Sequence, residues 1–190
     1  MVIYGGSILD GTGSVAQRAD LGIRGDTIAT IGSLSGVQSK RLINAEGLIV
    51  SPGFIDMHSH SDFTLLVDGR ALSKVTQGVT TELLGESESA GPVLGQARVE
   101  RRRVLSELGI SLDWTSLGEY FARLERQGVS VNVVSTVGFG QVMASVVGYG
   151  NRSPSLEEFQ LMEELVEQAM REGAVGLSSG LIYDPDRNAS

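Results

Sequence analysis

The stretch GLIVSPGFIDMHSHSD, residues 47–62, decides how the rest of the chain is read. An apolar run passes through Pro52 and Gly53 into two histidines one residue apart, followed by Asp62. These are both histidines of a 190-residue chain, so all of its imidazole chemistry sits within three positions. Side chains two apart on a strand point the same way, which would put Asp56, His58 and His60 on one face and Ile55 and Met57 on the other. In a closed parallel barrel such a face can point inward, with the pair at the C-terminal rim where chemistry is done. Two neutral imidazoles converging there suit zinc or a neighbouring divalent ion, which would polarise a carbonyl and lower the pKa of water. A bare His-x-His also occurs where a strand merely ends in a turn; the apolar lead-in and Asp62 favour the ligand pair.

Composition narrows the classes. Hydrophobic residues make up 41% and charged residues 20%, which suits a globular chain able to bury a core. A formal net charge of −8 argues against nucleic acid and anionic membranes as partners. There is no cysteine, which excludes disulfides and thiolate ligands. The start, MVIYGGSILDG, has no basic region followed by an apolar one, and no apolar run is long enough to span a bilayer. The expectation is a cytoplasmic protein.

Residues 1–52 read as a small β-sandwich-like domain of short strands punctuated by Gly, Asp and Asn, with a tight hairpin at Gly25-Asp26. The grammar changes over residues 53–190. FIDMHSH, GVTTELLGE, VSVNVVSTVGFG and AVGLSSGLIY read as strands, with helices between the later ones. Ser155 and Glu158 form a capping box ahead of an apolar stripe of Leu156, Phe159, Met162, Val166 and Met170. Ser116 and Glu119 repeat the box ahead of Leu117, Tyr120, Phe121 and Leu124. Alternating strands and helices indicate a parallel sheet with crossovers. The arginines of ARVERRRVLSELG read as a solvated helix face.

Residues 47–62 resemble the first barrel strand of the amidohydrolase superfamily. TQGVTTELLGE, DWTSLGEYFARLE, VNVVSTVGFGQVM and GAVGLSSGLIYDP resemble successive landmarks of the N-acyl-D-amino-acid deacylase (D-aminoacylase) family. The resemblance implies an α/β fold: a small N-terminal β-domain followed by the first half of a (β/α)8 TIM-type barrel. It also implies a zinc-dependent amidohydrolase cleaving the amide C–N bond of N-acyl-D-amino acids. His58 and His60 fall on that family's metal pair. Many members follow the second strand with Asn-Cys-Gly and use the cysteine as a ligand; here Ser87 stands in its place and Glu86 precedes it. Glu86 is the expected replacement ligand, against the alternative of a solvent-facing loop residue. Phe139 occupies the histidine position of a Gly-His-Gly version, so no ligand is expected there.

Some members bridge two metals with a carbamylated lysine. Lys40 and Lys74 are the only lysines, and neither falls on a predicted strand end. Tyr183, near the end of the last strand, is a candidate substrate-binding residue able to donate to an amide carbonyl or the oxyanion formed from it; Ser178 and Ser179 read rather as packing and turn residues. The metal set is incomplete for one or two zinc ions, and the general base is expected beyond residue 190. Four strands are half of the eight a barrel needs, so these residues alone should be inactive, with the missing half or another copy covering the open edge. Two other readings stay open: a cyclic amidase of the dihydroorotase or hydantoinase type, and a non-catalytic half-barrel module.

Overall fold

The computed structural model describes residues 1–188. The chain divides into two compact units, residues 1–53 and the residues from 54 onward.

The first unit is one mixed sheet of β1 (Val2–Ile8), β2 (Gln17–Arg24), β3 (Thr27–Gly32), β4 (Leu42–Asn44) and β5 (Ile49–Val50). The order is β3-β2-β1-β4, with β5 also on β1; β1 and β2, like β2 and β3, run antiparallel, while β4 and β5 lie parallel to β1. Arg24 pairs with Thr27, so Gly25-Asp26 is the two-residue hairpin loop, with Gly25 at φ 63°. The register of β1 shifts between Ile3 and Gly6, where Gly5 lies at φ 74° and donates its N–H to the Asp20 carboxylate at 2.9 Å. A sandwich would need a second sheet. These residues form a single one, whose buried apolar side chains are Val2, Leu21 and Ala45.

The second unit is α/β. Strands β6 (Phe54–Asp56), β7 (Val79–Leu84) and β8 (Asn132–Ser135) form a parallel sheet in that order. Strand β9 (Val137–Gly138) pairs in parallel with β10 (Leu177–Ser178). Helices α1 (Thr64–Val67) and α2 (Leu72–Val75) connect β6 to β7, and α3 (Gly95–Glu107) and α4 (Leu117–Gln127) connect β7 to β8. Helices α5 (Phe139–Val146) and α6 (Leu156–Arg171) connect β9 to β10, and a 3₁₀ turn follows at Asp186–Asn188. This is the strand-helix alternation of a partial barrel.

Both capping boxes form: the Ser116 and Ser155 hydroxyls accept from the N–H of Glu119 and Glu158, whose carboxylates accept in return from the cap N–H. The core gathers Trp114, Leu117, Tyr120 and Leu124 against Leu84, Leu105, Val137, Val142 and Met143, with Trp114 Nε1 donating to the Ala90 carbonyl at 2.8 Å.

Four local expectations are corrected. VSVNVVSTVGFG is not one strand. At Thr136 the chain passes from pairing with β7 to pairing with β10, and Phe139-Gly140 already open α5. AVGLSSGLIY contributes only Leu177–Ser178 before turning. The α6 stripe buries Met162 but leaves Leu156, Phe159 and Met170 exposed. Finally, two of the arginines of α3 are not solvated. Arg98 donates to the Trp114 carbonyl and the Thr115 hydroxyl, and Arg101 lies over the Phe63 ring with a hydrogen bond to Gln141. Contacts far along the chain took these side chains, and local periodicity does not report such contacts.

Candidate metal centre

Strand β6 ends at Asp56, four residues short of the expected strand FIDMHSH, so His58 and His60 are not held by strand geometry. A turn holds them instead. The His58 N–H donates to Asp56 Oδ1 at 3.2 Å, and the Ser59 N–H donates to the Leu83 carbonyl at 3.0 Å, which ties the segment to β7. The two rings still converge: Nε2 of His58 lies 3.0 Å from Nε2 of His60, with the rings edge to face. Two nitrogens on one tetrahedral zinc, each 2.0–2.1 Å from the ion, stand about 3.3 Å apart. The pair therefore fits as two ligands of one ion. Among the described residues no group of three or more His, Asp or Glu closes on a single point.

Glu86 reaches the pair from the other side. Its Oε2 lies 2.8 Å from Nδ1 of His58, the ring nitrogen that does not face His60. His58, His60, Glu86, Ser87, Glu88, Tyr183 and Asp184 line one cavity of about 370 Å³, so the sequence-derived candidates meet in one place. Ser178 does not line it. Its hydroxyl donates to the Gly85 carbonyl at 2.7 Å and accepts from the Ser87 N–H at 3.1 Å, which locks the turn that carries Glu86.

Beneath the histidines lies a charged cluster that the sequence reading missed. Lys74 Nζ donates to Asp56 Oδ2 at 2.5 Å and to the Ser59 hydroxyl at 2.9 Å, and lies 3.6 Å from Glu82. The Ser59 hydroxyl in turn donates to Glu82 Oε2 at 2.6 Å. The Lys74 hydrogen bond, then that of the His58 N–H, hold the Asp56 carboxyl below its usual range. Asp56 raises the Lys74 ammonium above its usual range, the opposite of what a carbamate, formed on a neutral amine, requires. The one available signal was Glu82 itself, a carboxylate inside the apolar run VTTELL. Asp62 is buried, and desolvation pushes its carboxyl up to about 6; its backbone carbonyl accepts from the Tyr120 hydroxyl at 2.6 Å. Tyr120→Phe is expected to lower stability by about 1–2 kcal/mol, because it leaves that carbonyl without its donor. Paired urea melts of parent and variant check it, and identical midpoints would contradict it.

The whole chain aligns with D-aminoacylase of Alcaligenes xylosoxydans xylosoxydans, 35% identical over 190 residues, which cover 100% of this chain and 39% of that protein. N-acyl-D-glutamate deacylase of the same organism is 37% identical over 188 residues, 97% of this chain and 38% of that protein. This chain is homologous to the N-terminal portion of the N-acyl-D-amino-acid deacylases, in the amidohydrolase superfamily. The crystal structure of N-acyl-D-glutamate deacylase from Bordetella bronchiseptica, complexed with zinc and a phosphonate inhibitor that mimics the tetrahedral intermediate, superposes with a TM-score of 0.89 at 35% identity. It matches 100% of this chain and 40% of its own, which accords with a small β-domain and half of a deacylase barrel. The chain thus spans about two-fifths of the length of these deacylases. No family model matches it. No helix of the described residues is long and apolar enough to cross a membrane.

Proposed function

We propose that the protein carrying this chain is a zinc-dependent hydrolase that cleaves the amide bond of N-acyl-D-amino acids. The observation that supports it most is that nearly all of this chain matches about two-fifths of D-aminoacylase and of N-acyl-D-glutamate deacylase. His58 and His60 would hold the ion through their Nε2 atoms, and Tyr183, on the wall of the same cavity, would donate to the amide carbonyl or its oxyanion. Zinc bound there would polarise that carbonyl and acidify water. Hydrolysis also needs a group that takes a proton and returns it to the leaving amine. Asp56 is engaged by Lys74, Asp62 is buried, and neither lines the cavity, so neither of these two is placed to supply that group.

The open sheet supports the need for the rest of a barrel. Phe54, Ile55 and Met57 stand exposed at the β6 end, and Val175, Leu177, Leu181 and Ile182 stand exposed around β10. Further barrel strands and helices, or a second copy of these residues, would cover them.

The test is turnover of N-acetyl-D-amino acids and their L-enantiomers by the intact protein with added zinc, with dihydroorotate and a hydantoin as controls. D-selective deacylation is expected from the intact protein, and none from residues 1–190, which should also self-associate. Ring opening without deacylation would move the assignment to the cyclic amidases. Metal-dependent turnover by the 190 residues alone would refute the need for a second half.

A further inference from the structure

We propose that Glu86 is a positioning residue for His58 and not a metal ligand: its carboxylate accepts from Nδ1–H, fixes the tautomer that leaves Nε2 as the ligating nitrogen, and stays outside the coordination shell. The proposal rests on the reading of His58 and His60 as the metal pair. A neutral imidazole carries one hydrogen, and a carboxylate at one nitrogen holds that hydrogen there, leaving the lone pair on the other. Oε2 of Glu86 stands 2.8 Å from Nδ1, while Nε2 of the same ring faces Nε2 of His60 at 3.0 Å. The Nδ1–H bond and the Nε2 lone pair of one ring point to different sides, so an oxygen seated on Nδ1 is turned away from the point where the Nε2 atoms meet.

The turn around Glu86 is built to hold this pose. Gly85 lies at φ 86°, and a Cβ there would run into the Thr136 carbonyl. The Thr136 and Ser178 hydroxyls both donate to the Gly85 carbonyl, at 2.9 and 2.7 Å. On the far side Ser87, at φ 58°, donates its N–H to Ser178, donates its hydroxyl to Asp186 at 3.3 Å, and accepts from the Gln141 N–H at 3.1 Å. Thus the residues on both sides of Glu86 are fixed by the β8–β9 junction, α5, β10 and the 3₁₀ turn. An exposed loop glutamate with no task has no use for such anchoring.

Cobalt(II) chloride, titrated into the demetallated intact protein, separates the possibilities through visible absorption and bound-metal stoichiometry. Glu86→Gln keeps a carbonyl that can accept from Nδ1–H; it should retain the stoichiometry and the band positions. Glu86→Ala should keep the bands but bind cobalt about 10–100-fold more weakly, the usual effect of losing a group that orients a ligand. Shifted bands or a lost ion in Glu86→Gln would make Glu86 a ligand and overturn the proposal. Unchanged affinity in Glu86→Ala would overturn it too, by leaving Glu86 without a role. His58→Asn and His60→Asn, run in parallel, test the underlying reading separately: if neither changes the bands or the affinity, the metal pair is wrong whatever Glu86 does.

Discussion

Lys74→Met should lower the stability of the intact protein by about 1–3 kcal/mol, less than for a fully buried ion pair because Lys74 and Asp56 keep 21% and 28% of their side chains exposed. Lys74 is the cation between two carboxylates that the β6–β7 register sets side by side, Asp56 opposite Glu82. Glu82 is 0% exposed, and its Oε1 has no hydrogen-bond partner among the described residues, so its compensation comes from Lys74 and the Ser59 hydroxyl. Methionine keeps the apolar stem and removes the charge, which leaves two like charges in register, one of them fully desolvated. The measurement is chemical denaturation followed by circular dichroism, parent against variant. Adding Glu82→Gln to Lys74→Met should recover part of the loss, since it removes the uncompensated charge. A shift below about 1 kcal/mol in the single variant would show that the cluster is hydrated and Lys74 dispensable.

Gly138→Ala is expected to damage both fold and site. Gly138 sits at φ −79° and ψ 127°, a conformation any residue adopts, so the penalty is steric alone. An added Cβ would collide with the Ser87 carbonyl oxygen, and would lie 2.5 Å from the Ser87 carbonyl carbon and 2.9 Å from the Glu88 nitrogen. All three atoms are backbone and cannot rotate aside. The turn must move away from β9, which pulls Glu86 off His58. The expected losses are about 1–3 kcal/mol of stability, typical of overpacking, and about tenfold or more in cobalt affinity, as for loss of the orienting contact. Gly150→Ala, where an added Cβ meets nothing within 4 Å, is the matched control and should alter neither. Cobalt affinity within twofold of the parent in Gly138→Ala would separate the turn from the metal site.

The readable features of this chain are those whose cause is local. Ser116 with Glu119 and Ser155 with Glu158 cap their helices through residues three apart, and Gly25-Asp26 turns its hairpin by backbone preference, so each is legible from a few letters. The alternation of strands and helices was legible for the same reason, whereas the barrel was implied by the family resemblance of the quoted landmarks. Convergence of His58 and His60 was expected from strand alternation, but the structure achieves it by a turn that Asp56 and Leu83 hold, since β6 stops at Asp56. Lys74 meeting Asp56 and Glu82, Arg101 stacking on Phe63, and Ser178 clasping the turn 93 residues before it leave no periodic trace, because each joins residues from different elements. The sequence by itself determined that this is a β-domain followed by half of an amidohydrolase barrel, with its imidazoles at the end of the first strand. Tertiary structure alone decided which ring nitrogen Glu86 touches, because only packing of the β8–β9 junction, α5 and β10 against that turn fixes where its carboxylate points.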